Sequence, residues 1–229
     1  MTEEDQNRDI YCKLTSANPA DISHLVGRNI PKGYRFLRVE TQTKPGQELP
    51  GFDLALVDDK SKSIIYYNAV IVMNICDLNV KPASQSLIWR SRDEDHRSVL
   101  NDFARDVFFN YILPRYAAIV SDGNQSLGGR FFWESQVEAA LSKNKSVYYY
   151  KMISAELEPI KDKNDLSILK KHIWCEQKDF ANNLVIISDA DLPLSNDYKI
   201  PVVIVEESDK LDAAKLIEKK VSGFDHSLD

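Results

Sequence analysis

The stretch that decides the fold is YAAIVSDGNQSLGGRFFWESQVEAALSKNKSVYYYKM, residues 116–152. It begins with a short apolar run, which a polar turn follows. Its middle repeats apolar side chains at the spacing of one helix face: Trp133, Val137, Ala140 and Leu141. It ends with a β-prone run: Val147, Tyr148, Tyr149 and Tyr150. The order strand, helix, strand predicts a βαβ crossover, which joins two parallel strands.

The polar turn of this unit is the first candidate binding segment. In open α/β sheets, ligands gather outside the carboxyl ends of the strands. Asp122, Asn124 and Gln125 occupy that position here. Gly128 and Gly129 add backbone donors near the helix start, although they match neither the dinucleotide motif nor the phosphate-cradling loop. The same segment also suits a turn with a helix cap, so the sequence leaves both interpretations open.

Composition and charge narrow the class of protein. The 229 residues are 43% hydrophobic and 28% charged, which is enough to bury a core. A net charge of -6 makes nucleic acid an unlikely partner and favours a basic protein surface. The acidic first residues and the absence of a long apolar run predict a cytoplasmic protein with no membrane partner. Three scattered cysteines indicate reduced thiols: Cys12, Cys76 and Cys175.

The fold class predicted from the whole chain is α/β (α+β), with a mixed central sheet flanked by helices. The sequence predicts a flexible tail at residues 1–9, the mixed-sheet domain at 10–155, a linker at 156–163 and a C-terminal α/β extension at 164–229. The expected elements before the central unit, in chain order, are a strand at 10–15, a helix at 18–27, a strand at 34–40, a hairpin of 52–57 with 63–73, an irregular connection at 75–85, a strand at 86–90 and a helix that stops before Pro114.

A charge cluster follows the strand that ends at Arg90. Its basic members are Arg90, Arg92, His96 and Arg97. Its acids are Asp93, Glu94 and Asp95. Acids are favoured at a helix start by the helix dipole, and no second His lies at ligand spacing, so we predict a solvated helix start and no metal site.

A second acidic motif lies in the predicted hairpin. Asp53, Asp58 and Lys60 are similar to the acid, acid and Lys set that holds a hard cation in many nucleases. The spacing instead places Asp58 and Lys60 in the turn between two strands. We therefore predict a hairpin turn, and a metal-dependent nuclease remains a distant alternative.

The order of elements from Tyr34 to Met152 resembles the GNAT N-acetyltransferase family. In that family the fourth and fifth strands splay apart and the pantetheine arm of acyl-CoA enters the gap. The loop after the fourth strand wraps the diphosphate with backbone donors. The resemblance rests on topology over about half of the chain and maps 86–90, 117–120 and 147–151 onto the fourth, fifth and sixth strands. It implies Tyr149 as a candidate acid for the departing thiolate.

The chain departs from this family at the diphosphate loop. The Arg/Gln-x-x-Gly-x-Gly/Ala motif falls at residues 90–97, which contain no glycine and carry three acids that would repel a diphosphate. The sequence therefore favours an acidic accessory or neutralising partner of another protein, with no cofactor, on a degenerate GNAT-like scaffold. Its contact surface would include residues 90–97 and 122–125.

The alternative is an acyl-CoA-dependent N-acyltransferase with an atypical donor site. Arg90, Arg92 and Arg97 would then hold the phosphates of acetyl-CoA while the acids turn outward. The sequence does not decide whether the protein is an enzyme.

Overall fold

The computed structural model describes residues 4–43, 49–73, 81–119, 127–151, 153–173 and 183–192, all of which belong to one compact unit, Met1–Ser195. They form a nine-stranded sheet with helices packed on it, so the predicted α+β class is confirmed. The strands are β1 (Ala20–Asp21), β2 (Tyr34–Glu40), β3 (Phe52–Asp58), β4 (Ser63–Val72), β5 (Ala83–Arg90), β6 (Ala118–Ile119), β7 (Ser146–Lys151), β8 (Glu156–Pro159) and β9 (Asn183–Ser188). The α-helices are α1 (Glu4–Ser16), α2 (Arg97–Leu100), α3 (Phe103–Asp106), α4 (Leu127–Ser142) and α5 (Lys163–Ile173).

The sheet has the strand order β1-β2-β3-β4-β5-β6-β9-β7-β8. Its neighbours are antiparallel except for β5 and β6, which pair in parallel. Because β6 and β7 are both antiparallel to β9, they run parallel to each other, as the crossover predicts. However, β9 lies between them, which nothing in the order of elements indicated.

The two faces of the sheet carry different layers. Leu54 and Leu56 of β3 pack in one core with Phe103, and we call this side the α3 face. Ala55 and Val57 lie in another core with Leu14 of α1, and we call this side the α1 face. The division follows from the two-residue period of a strand, which sends successive side chains to opposite faces.

The predicted hairpin is confirmed in β3 and β4. These strands pair antiparallel from Phe52 opposite Val70 to Asp58 opposite Ser63. The Asp58 carboxylate accepts hydrogen bonds from the Lys60 N–H at 2.9 Å and from the Ser61 hydroxyl at 2.8 Å. An aspartate that bonds to the backbone two residues ahead stabilises a turn.

The N-terminal region differs from its prediction. Residues 10–15 are helical rather than extended, and the part of the predicted tail that is described, from Glu4 onward, belongs to the same helix. Ile10 and Leu14 both contact the α1 face of the sheet. In so short a run, apolar residues at i, i+2 and i+4 fit the two-residue period of a strand as well as one face of a helix. The helix forms because it packs its apolar residues on the sheet.

The predicted helix at 18–27 is also wrong in most of its length. Ala20–Asp21 is a short strand on β2, and only Ser23–Leu25 forms a 3₁₀ turn. The Asp21 carboxylate accepts hydrogen bonds from the N–H and hydroxyl of Ser23. Ile22 then donates its N–H to the Phe36 carbonyl, so the backbone bonds to the sheet and does not continue a helix.

The helix predicted after β5 is broken into pieces. A 3₁₀ turn at Glu94–His96 leads into α2, and Asp102 interrupts the path with a left-handed φ of 56°. Beyond the break come α3 and a π-helical segment, Val107–Ile112. The apolar spacing continues across the interruption, and periodicity alone therefore did not reveal it. In addition, β5 begins at Ala83, within the segment predicted as an irregular connection.

The segment predicted as a linker begins with a strand. Glu156–Pro159 forms β8 at the edge of the sheet and pairs antiparallel with β7, from Tyr148 opposite Pro159 to Lys151 opposite Glu156. Lys151 contacts the carboxylates of Glu156 and Glu158, so the charges that suggested a linker are ion-paired across two strands. Residues 174–182 and 193–229 of the predicted extension lie outside the described residues, and its status as a domain stays a prediction.

Candidate functional site

A cavity of about 430 Å³ lies at the carboxyl end of β5. It is formed where the chain leaves the strand and enters the 3₁₀ turn before α2, and we call it the arginine cavity. The residues that border it are Arg90, Ser91, Arg92, Asp93, Glu94, Arg97, Leu100 and Asn101. Three guanidinium groups against two carboxylates leave this cavity locally positive in a chain of net charge -6.

The arginines of this cavity differ in their partners. Arg97 forms an ion pair with Glu94 at 3.0 Å. Arg90 and Arg92 are exposed, and the side chain of neither forms a hydrogen bond or ion pair with any other residue in the described ranges. A guanidinium offers five N–H donors in a fork that matches phosphate or carboxylate oxygens. Arg90 and Arg92 therefore supply donors for an anion.

The acids of the loop are partly engaged by the protein itself. The Asp93 carboxylate accepts a hydrogen bond from the Asp95 N–H at 3.0 Å and caps the 3₁₀ turn. The Asp93 N–H in turn donates to the Ser91 hydroxyl at 3.1 Å. Backbone donors that a diphosphate loop would direct at its ligand are thus used internally at Asp93 and Asp95. An anion in this cavity would be held by side chains.

Within the described ranges, the edge of β5 beside this cavity is unpaired. β5 pairs with β6 only where Ala83 lies opposite Ala118 and Ser84 opposite Ile119. From Gln85 to Arg90, no strand among the described residues pairs with this edge, although β4 continues along the other one. Gln85 is 6% exposed, and its side-chain amide lies close enough to Tyr66 to act on the pKa of that phenol.

A second cavity of about 230 Å³ adjoins the first and shares Arg90, Leu100 and Asn101 with it. We call it the aromatic cavity because its walls include the rings of Tyr66, Phe103 and Phe132. The remaining residues that border it are Asp102, Ala104, Arg105, Ser135 and Gln136. It therefore lies between the strands of the α3 face, the broken helix and α4.

Two buried amides lie in or near the aromatic cavity. Gln136 borders it, is 2% exposed, and has no partner for its Oε1 in the part of the chain that the structure describes. Asn68 donates to the Tyr66 hydroxyl at 3.1 Å, but its own Oδ1 has no partner. Burial raises the pKa of Tyr66, so its phenol is neutral near pH 7. Unpaired acceptors of this kind are rare in protein interiors and call for a partner.

The other residues predicted for the site have different positions. His96 does not border the arginine cavity, and its Nδ1 lies 3.2 Å from the Tyr34 hydroxyl, with the two rings edge to face. It therefore ties the loop to β2. Asp122, Asn124 and Gln125 lie outside the described residues.

Tyr149, the candidate acid, is a core residue of β7. It is 4% exposed and packs in one cluster with Phe108, Trp133 and Leu166. Burial is the main cause that raises its pKa, while Lys151 opposes the shift and Glu158 supports it. A neutral phenol is suited to proton donation. Its ring borders neither the arginine cavity nor the aromatic cavity, and the catalytic role stays a prediction.

The acids of the nuclease-like motif are not brought together. Successive side chains of a strand point to opposite faces. Asp53 is an even number of residues from Ala55 and Val57 and so lies on the α1 face, whereas Asp58 is an even number of residues from Leu54 and Leu56 and lies on the α3 face. Asp58 is also committed to the hairpin turn. Within the described part of the chain, no group of three His, Cys, Asp or Glu is placed to hold a metal ion.

Sequence reasoning identified the arginines and missed Gln136. The three arginines are close together in the chain, so the local sequence predicts that they lie in one part of the structure. The sequence indicates the position of Gln136 only weakly. This residue lies beside Val137 and three residues after Trp133, at the border of the apolar face of the helix. A polar residue at the edge of an apolar face is the pattern that marks such a position.

Comparisons of the chain with protein-family models, with curated proteins and with solved structures find no match. Among the described helices, none has the length and apolar composition needed to cross a membrane.

Proposed function

We propose that this protein binds an acyl-coenzyme A through the arginine cavity and transfers its acyl group to an amine. The observation that carries the proposal is the pair of arginines, Arg90 and Arg92, which border a cavity at the end of a strand and have no partner in the described chain. A diphosphate suits two guanidinium forks that border one cavity, because each fork can donate two hydrogen bonds to phosphate oxygens.

The open edge of β5 supports the same proposal. In the GNAT arrangement that the order of elements resembles, the acyl-CoA arm enters between the fourth and fifth strands. Here the corresponding strands, β5 and β6, are joined at two positions, and the edge of β5 is then unpaired as far as Arg90 in the described chain. A ligand with its diphosphate at Arg90 could extend its arm along this edge.

The missing glycine motif has a physical substitute in this chain. Backbone donors at the loop are used by the Asp93 cap, while Arg90 and Arg92 present charged side-chain donors. A hydrogen bond to a charged group contributes about 1.5–3 kcal/mol. Two such groups thus replace several neutral amide donors and also offset the repulsion from Asp93 and Glu94.

The chemical step requires the amine nitrogen to attack the thioester carbonyl. The carbon–sulfur bond then breaks, the coenzyme A thiolate leaves, and the proton lost by the amine goes to the thiolate or to solvent. The arginines take no part in these bonds. They hold the diphosphate and so position the thioester.

A second candidate function is binding to another protein without catalysis, as the acidic composition favours. The capping role of Asp93 and the ion pair between Glu94 and Arg97 support this candidate, because a loop that bonds to itself need not accommodate a cofactor. Arg90 and Arg92 would then bind carboxylates on the partner's surface.

Isothermal titration calorimetry of the full chain with coenzyme A separates the two functions. We expect micromolar affinity, and Arg92→Gln should weaken binding about tenfold, as the loss of one charge-assisted contact implies. Arg8→Gln is the matched control, because Arg8 is an exposed arginine of α1 that borders neither cavity. Its affinity should equal that of the unmodified chain.

Absence of binding heat with coenzyme A would reject the acyltransferase and leave the protein-binding candidate. Transfer is followed separately by the free thiol that acetyl-CoA releases when small amines and lysine peptides are offered. Thiol release that requires the amine supports transfer. Tight binding with no release beyond spontaneous hydrolysis would restrict the function to coenzyme A binding.

A further inference from the structure

We infer that Gln136 is a specificity residue that selects ligands with a neutral N–H group beside their anionic group. The inference rests on the proposed function for the identity of the anion. It adds a site on α4, the aromatic cavity, and a side chain that the resemblance and the motifs did not indicate.

The Gln136 amide is buried beside the aromatic cavity. It is 2% exposed, its Oε1 has no partner among the described residues, and it borders a cavity of about 230 Å³. A buried acceptor without a partner destabilises the free protein. A ligand that donates an N–H to this oxygen would satisfy it.

The walls of the aromatic cavity are largely apolar. Tyr66, Phe103 and Phe132 are aromatic, and Leu100 is aliphatic. Arg105 and Asp102 also border the cavity, but they pair with each other at 3.7 Å and add no net charge. Away from Arg90, these walls suit an uncharged, partly apolar group. An acceptor oxygen in these surroundings suits a secondary amide, whose N–H donates while its carbon atoms contact the rings.

The two cavities share part of their walls. Arg90 borders both, and Leu100 and Asn101 form part of each wall. A molecule with an anionic group at Arg90 and Arg92 can therefore reach the aromatic cavity with its next segment. Coenzyme A carries two secondary amides in its arm after the diphosphate, whereas ADP has the diphosphate and no arm.

Polar side chains continue from this cavity along the same face of the sheet. Tyr66 and Asn68 are two residues apart on β4, and Gln85 of β5 lies opposite Val70, so all three side chains belong to the α3 face. Asn68 Oδ1 has no partner among the described residues. Neither Asn68 nor Gln85 borders the aromatic cavity, so Gln136 is the unpartnered acceptor that a ligand there would meet.

The test compares coenzyme A with ADP by calorimetry on the full chain and on Gln136→Met, which keeps the length of the side chain and removes its acceptor. Gln136→Met should lower coenzyme A affinity about three- to tenfold and leave ADP affinity unchanged. Arg92→Gln should weaken both ligands. Gln6→Met, at an exposed position of α1, makes the same exchange as a control and should change neither.

A thermal unfolding measurement without ligand provides the second readout. Gln136→Met should raise the melting temperature, because it removes an unsatisfied buried acceptor. Greater stability together with weaker coenzyme A binding is a combination that a purely structural Gln136 would not produce. If coenzyme A binds the unmodified chain and Gln136→Met binds it equally well, the inference is wrong and the proposed function stands. If coenzyme A does not bind the unmodified chain, both are rejected.

Discussion

Asp59 shows how single residues attach α1 to the sheet. Its carboxylate accepts hydrogen bonds from Arg35 Nε at 2.6 Å, from Arg35 Nη2 at 2.7 Å and from the Tyr11 hydroxyl at 2.8 Å. The bonds from Arg35 lower the pKa of Asp59, partial burial opposes them, and Tyr11 adds to the lowering. The contact thus joins α1, β2 and the hairpin through one ionised group.

The first prediction at this scale is a pH dependence of stability. A carboxyl whose folded pKa is lowered stabilises the fold above its unfolded pKa, and the effect is lost as pH falls through the folded value. Because the pair is about one-third exposed, solvent screening limits its contribution to roughly 0.5–1 kcal/mol. Asp59→Asn should therefore destabilise the protein by that amount near neutral pH, and the difference should vanish below the carboxyl range.

Urea unfolding of both proteins across the acid range measures this difference. Asp9→Asn is the control, because Asp9 is an exposed acid of α1, the helix that Asp59 contacts through Tyr11. This variant should show little difference at any pH. A difference for Asp59→Asn that does not change with pH would show that the ionised carboxylate is not what stabilises the contact.

At the scale of elements, the broken helix after β5 is what creates the two cavities. The chain turns at Asp102, so α2 borders the arginine cavity through Arg97 and Leu100 while α3 borders the aromatic cavity through Phe103. A straight helix would continue along one axis. The left-handed residue is therefore the feature of this segment that decides the shape of the site.

The prediction for this element compares two substitutions at Asp102. In a left-handed conformation glycine is favoured over a residue with a Cβ by about 1–2 kcal/mol, whereas within a continuous helix alanine is favoured over glycine by about 1 kcal/mol. Asp102→Gly should therefore be more stable than Asp102→Ala. Both variants lose the contact with Arg105 at 3.7 Å, so that loss cancels in the comparison.

Guanidinium denaturation gives the free energy of unfolding of the two variants. A helix broken at Asp102 predicts that the glycine variant is the more stable, whereas a continuous helix predicts that the alanine variant is. The sign of the difference in unfolding free energy therefore distinguishes the two structures. A more stable alanine variant would mean that the helix runs unbroken through Asp102.

At the scale of the described molecule, the insertion of β9 unites the C-terminal strands with the rest of the sheet. β9 is the partner of both β6 and β7, and its Val185, Ile186 and Ile187 are completely buried. Without β9, β6 and β7 would lose their shared neighbour, and three apolar side chains would be missing from two core clusters.

A pair of fragments tests this arrangement. Residues 1–155 contain the whole domain that the sequence predicted, and we expect them to show no cooperative unfolding because β9, together with β8 and α5, is absent. Residues 1–195 should unfold cooperatively. Circular dichroism during urea unfolding and the dispersion of amide resonances measure the outcome. A cooperative transition for residues 1–155 would instead support the domain boundary predicted at 156–163.

The parts of the site that could be predicted from sequence are those that lie close together in the chain. Arg90, Arg92 and Arg97 fall within eight consecutive positions, and the preceding strand placed them at a sheet end. Gln136 and Tyr66 reach the same region from α4 and β4, and no local pattern joins residues so far apart. The break at Asp102 was missed because Leu100, Phe103 and Val107 keep a helical spacing across it.

The sequence by itself determined where most strands lie, as in β2, β3 and β4, because strand propensity and turn formation are local properties. It also determined the parallel direction of β6 and β7 through the helix that joins them. Only the tertiary structure decided that β9 lies between these two strands, that residues 156–159 form an edge strand, and that residues 10–15 are helical. Strand partners and packing surfaces come from distant parts of the chain, and the choice among them depends on which arrangement buries the apolar faces together.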